Sequence, residues 1–75
     1  MPTRQFRGSA LRAARRRAGL SQVEAARRAG ITQGHWSGAE TEREYPSLET
    51  VLRLARAIGA DPQELDADLA STAAG

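Results

Sequence analysis

The chain has no cysteine, no lysine and a single histidine, His35, among its 75 residues. Without thiols, neither a disulfide framework nor a cysteine-based zinc site can hold the fold together. One histidine with no carboxylate at motif spacing assembles neither a nucleophile–base pair nor a metal site, so no enzyme, metal or cofactor is expected. The acidic run DPQELDADL (61–69) lacks the Gly at position 6 and the Glu at position 12 of a calcium loop. Aromatics are equally scarce, with one Phe, one Tyr and one Trp. The core must therefore be built by close helix packing of Ala, Leu, Val and Ile. No apolar run approaches the roughly 18 residues that span a bilayer. The opening MPTRQFRGSA holds no apolar segment of the signal-peptide kind. A single soluble, cytoplasmic domain is expected, near the lower size limit for an independent core.

What is present is polarised. Residues 1–30 carry eight arginines against Glu24 alone, a balance of +7. Residues 31–75 carry three arginines against eight acids, a balance of −5. A basic pole suits a polyanion such as nucleic acid, although a run of charge is also what any solvated helix face shows.

Capping residues divide the chain into five expected helices, an all-α bundle with no strand. Ser9 opens the first (9–18), which Gly19 ends. Ser21 opens the second (21–29), with Glu24 completing a capping box and Gly30 closing it. Thr32 opens the third (32–40). Ser47 opens the fourth (47–58), whose Leu48, Val51, Leu52, Ala55 and Ile58 repeat at i, i+3, i+4, i+7. Asp61-Pro62 opens the fifth (61–69), with Leu65 and Leu69 as its apolar side. Residues 1–8 read as a flexible basic arm, 9–69 as the domain and 70–75 as a disordered tail. Leu11, Trp36, Leu48, Leu52 and Ile58 are the expected core. Helices two and three are separated only by Gly30 and Ile31, a turn tight enough for a helix-turn-helix unit.

The stretch GLSQVEAARRAGIT (19–32), followed by Glu40 and by PSLETVLRLARAIG (46–59), resembles the Cro/repressor-type (XRE-like, lambda-repressor-like) helix-turn-helix transcription regulators. The likeness runs without a gap from Leu11 to Leu65. It implies a compact five-helix bundle whose third helix enters the major groove of double-stranded DNA while the second crosses the backbone. Carried over, Ser21 and Gln22 would touch phosphates at a helix N-terminus. Gln33, next to the Thr32 cap, would be the principal base reader, and a Gln there can pair with adenine N6 and N7. Thr41 and Arg43 would hold the next phosphates, and Arg15 with Glu40 would tie the first helix to the third. Members of this kind act as two-fold dimers, for which Leu65 and Leu69 are the expected surface.

Two glycines complicate the third helix, since each costs it about 1 kcal/mol relative to Ala. At about 100° per residue, Gly34 and Gly38 lie opposite Trp36, with Ser37 and Thr41 beside them and Gln33 and His35 at the edges. If the indole fills the hole left by Ala25, Ala29 and Ala39, both glycines face the DNA. The helix could then sit deep in the groove with sparse base reading, and Ser37 and His35 in support. The loop TEREY departs from the family pattern: Glu42 and Glu44 bracket Arg43 where Gly and basic residues are usual, and would repel phosphate. Arg4 and Arg7 of the arm are the expected compensation. A rival reading treats the acidic half, Glu42 to Asp68, as a surface for a protein partner, in an adaptor or antitoxin-like module. With so few residues after the fifth helix, a separate toxin-binding domain is not expected from this sequence.

Overall fold

The computed structural model describes residues 5–67 and 69. Among these are five helices: α1 (Gly8–Arg17), α2 (Gln22–Ala29), α3 (Gln33–Glu40), α4 (Leu48–Ile58) and α5 (Pro62–Leu65). Four starts follow the expected caps. Ser21 Oγ accepts from Glu24 N, Thr32 Oγ1 from His35 N, Ser47 Oγ from Thr50 N and Asp61 from Gln63 N. Each relieves one of the N–H groups that a helix start leaves without a partner. The capping box is not completed, because the Glu24 carboxylate turns along α2 to Arg27 and Arg28. Gly30 ends α2 at φ +77°, a left-handed conformation that glycine adopts without steric cost, and so sets the turn into α3.

α1 starts differently. It begins at Gly8 rather than at Ser9, and its N-cap Arg7 contributes no side-chain bond. The Gly8 N–H donates instead to Glu42 Oε2 at 2.9 Å, across 34 residues of chain. Glu42 reaches it from φ +59°, unusual for a side-chain-bearing residue. The carboxylate thus sits at the positive end of the α1 dipole, while Glu42 itself stays exposed. A Cβ at Gly8 would lie 2.3 Å from the Glu40 carbonyl oxygen, so only glycine lets α1 come this close to α3.

Part of the segment expected as a flexible arm packs on the bundle instead. Phe6 is buried and pairs with Asp66 in an isolated antiparallel bridge, and the Arg7 N–H donates to the Leu65 carbonyl at 2.9 Å. The same pairing interrupts the last helix. Asp66 turns extended (φ −147°, ψ 110°) to meet Phe6, so α5 breaks after Leu65, although residues 67 and 69 are again helical. Residues 1–4, with Arg4, and the 70–75 tail lie outside the described residues.

Trp36 is wholly buried, with Ala25, Ala29 and Ala39 around the same core as Leu11, Leu54 and Leu65. On α4 the apolar face is rotated from its expected place. Val51, Leu54, Ala55 and Ile58 are buried, whereas Leu48 and Leu52 are 38% and 45% exposed. Both sets repeat at helical spacing, and Leu52 lies about 160° around the helix from Leu54. The bundle, in which α4 packs on α2, α5 and α1, buries the Val51, Leu54, Ala55 and Ile58 set and leaves Leu48 and Leu52 partly in solvent. Leu65, expected on a dimer surface, belongs wholly to the core.

Candidate nucleic-acid interface

α3 is held by its buried side. Trp36, Ala39 and Glu40 point into the bundle, while Gln33, Gly34 and His35 are exposed. A Cβ at Gly34 would meet nothing closer than Thr32 Oγ1 at 3.9 Å, so this part of the ridge is bare. Gly34→Ala is therefore expected to stabilise the free domain by about 0.5–1 kcal/mol, the ordinary gain of Ala over Gly in a helix. A thermal melt should show a Tm higher by a few degrees; an unchanged or lower Tm would mean the position is not free.

Gly38 departs from the expected bare ridge. It is buried, and what covers it is the side chain of Glu44 rather than the core. The loop after α3 folds back because the Arg43 and Glu44 N–H groups both donate to the Gly38 carbonyl, at 2.9 and 3.1 Å. Thr41 donates its hydroxyl to the Ser37 carbonyl at 3.0 Å, finishing the helix and leaving its oxygen lone pairs exposed. Ser37 is half-buried, and Arg43 is exposed in the loop.

Beneath this surface runs a chain of hydrogen bonds. Arg15 donates through Nε to Glu40 Oε2 at 2.6 Å and through Nη1 to the Leu20 carbonyl at 2.8 Å. Their side chains are only 11% and 3% exposed, so this is a buried pair. The Trp36 indole N–H donates to Glu40 Oε2 at 2.7 Å, and Gln22 Nε2 donates to Oε1 at 2.9 Å. Gln33 Nε2 in turn donates to Gln22 Oε1 at 2.8 Å. Glu40 only accepts, which fixes the Gln22 amide with its nitrogen inward, and the Gln22 oxygen then fixes Gln33. Gln33 is left presenting its amide oxygen and one N–H outward. Burial pushes the Glu40 carboxyl up, but the bonds from Arg15, Gln22 and Trp36 outweigh it and hold the group below the usual carboxylate range.

Gln22 and Gln33 thus meet through their amides where α2 and α3 begin, beside the caps Ser21 and Thr32, with Thr41 and Arg43 at the far end of α3. Reasoning from sequence alone missed the Gln22–Gln33 link, the Glu42 cap and the place of Glu44. Arg7, a poor cap before Gly8, was the one available sign that α1 takes its cap from elsewhere. Among the described residues no group of three or more His, Cys, Asp or Glu is arranged to hold a metal ion, and no helix is long and apolar enough to cross a membrane.

Comparison with known proteins agrees with this geometry. A family model described as a helix-turn-helix domain matches residues 8–67. The chain is 49% identical over 51 residues to antitoxin HigA1 of Mycobacterium tuberculosis, covering 68% of this chain but 34% of that protein. It therefore spans about a third of that relative's length. An uncharacterized HTH-type transcriptional regulator, y4dJ, of Sinorhizobium fredii is 37% identical over 65 residues, covering 87% of this chain and 84% of its own. Among solved structures, the restriction-modification controller protein C.AhdI of Aeromonas hydrophila superposes with a TM-score of 0.74 at 36% identity, covering 77% of this chain and 84% of that one. The P22 c2 repressor, solved in complex with a synthetic operator, superposes with a TM-score of 0.73 at 26% identity over 81% and 92% of the two chains. The chain belongs to the helix-turn-helix domain family, in its Cro/repressor-like branch.

Proposed function

We propose that this domain is a sequence-specific regulator of transcription that binds double-stranded DNA with α3 in the major groove. The observation that carries the reading is the Gln33 amide, held from below through Gln22 by the buried Glu40 and directed outward beside bare Gly34. Its free oxygen and remaining N–H match adenine N6 and N7. Ser21 and Gln22 at the α2 N-terminus, Thr41, and Arg43 in the loop supply phosphate contacts that set register. Gly34 lets the backbone approach closely, and His35 and Ser37 flank it. As a DNA-bound regulator the protein acts in the cytoplasm, on the nucleoid, without a cofactor. A second copy on a palindromic site would meet the exposed Leu48 and Leu52 of α4 rather than Leu65.

Selection from random duplexes followed by titration tests this. Gln33→Ala should lose about 1–3 kcal/mol at one A·T position and leave other positions unchanged. Arg43→Ala should weaken all sequences alike and reduce the salt dependence. Uniform loss in the Gln33 variant would remove base reading from that residue.

The likeness to an antitoxin supports a second reading, a module that holds a protein partner on its acidic half. Copurification of a stoichiometric partner, with no enrichment of any DNA sequence, would favour it over the first.

A further inference from the structure

The side chain that stands over Gly38 belongs to neither α3 nor the core. Glu44 lays its Cδ, Cγ and Oε2 at 3.1, 3.2 and 3.2 Å from the place a Cβ of residue 38 would occupy. Two backbone bonds to the Gly38 carbonyl fasten the loop there. Its carboxylate is 3.9 Å from His35 Nε2 on the same exposed side of α3 and remains 54% exposed. A loop residue therefore projects an acid from the point where the helix has no side chain of its own.

We propose that Glu44 is a specificity-determining residue that reads a cytosine in the major groove, taking the place of a residue-38 side chain. The assignment rests on α3 lying in that groove. An ionised carboxylate accepts hydrogen bonds and donates none. Guanine offers it only acceptors in the groove, thymine an acceptor and a methyl group, and adenine sets the N7 acceptor beside its amino group. Cytosine presents its N4 amino group with no neighbouring acceptor on the same base, and is the base an acid selects. The acid that phosphate repulsion alone would count as harmful gains a role from where it is held.

The test is binding selection from a random duplex library with the full chain, as wild type, Glu44→Ala, Glu44→Gln and Gly38→Ala, each checked for native circular dichroism. The wild type should enrich a C·G pair at one position, with other pairs there bound about tenfold or more weakly. Glu44→Ala should flatten that position alone, and Glu44→Gln should move its preference toward adenine. Gly38→Ala should weaken that preference without abolishing it, because the added methyl pushes the carboxylate aside slightly while Glu44 is still present. A Glu44→Ala variant that binds every sequence more tightly by one factor, with the motif unchanged, would overturn the proposal and leave the acid as a repelling charge. A motif with no position responding to Glu44 overturns it as well, while DNA binding stands. A folded wild type that enriches no sequence removes both readings together.

Discussion

Trp36→Ala is expected to remove a large share of the protein's stability. The indole is wholly buried among Ala25, Ala29 and Ala39, and truncating a large buried aromatic costs about 3–5 kcal/mol. A 75-residue domain holds only about 4–11 kcal/mol in all. The alanines around the indole are too small to close the hole by repacking. Urea unfolding followed by circular dichroism is the measurement, with the wild-type midpoint as reference. Trp36→Phe separates size from hydrogen bonding. It fills most of the volume but withdraws the N–H that Glu40 accepts. Because Glu40 keeps Arg15 and Gln22 as donors, that variant should lose only about 1–2 kcal/mol. A folded Trp36→Ala with an unchanged midpoint would mean the indole does not support the core.

The same residue shows what the sequence made legible. Trp36 beside three alanines announced its own burial, and through helical geometry that settled which side of α3 faces out. Caps at Ser21, Thr32, Ser47 and Asp61 likewise located four helix starts, because capping is a contact among residues two or three apart. What escaped was non-local. The start of α1 depends on Glu42, 34 residues away, and the end of α5 on the pairing of Asp66 with Phe6. Neither contact leaves a periodicity. On α4, two apolar stripes overlap in one helix, and only the packing of the bundle chooses between Leu52 and Leu54. The candidate interface divides in the same way. Arg15, Glu40 and Gln33 could be matched by motif, whereas the place of Glu44 over Gly38 follows from the positive φ of Glu42 and the loop's return to the Gly38 carbonyl.

Removing the charge of Glu40 should produce the second large effect. Glu40→Gln leaves the Arg15 guanidinium, 11% exposed, without a counter-charge. Breaking one side of such a pair costs about 3–5 kcal/mol. The amide also has one oxygen where the carboxylate has two, so its NH2 must meet a donor from Arg15, Gln22 or Trp36. The loss should depend on pH in a defined direction. The folded state holds Glu40 below the ordinary carboxylate range, so its charge stabilises the fold above about pH 4 to 5, where the unfolded chain is already ionised. That contribution fades as pH falls through the lowered folded-state value, where the protonated acid resembles glutamine. Urea midpoints for wild type and Glu40→Gln should therefore differ by a constant amount near neutral pH and converge in acid. A gap that persists undiminished in acid would show that shape, not charge, is what Glu40 supplies. Since Gln22 hangs from Glu40 and Gln33 from Gln22, the same substitution should loosen the Gln33 amide. If Gln33 reads adenine as proposed, whatever fraction of the variant stays folded should then discriminate less sharply at that position, because the reading amide hangs from one buried carboxylate.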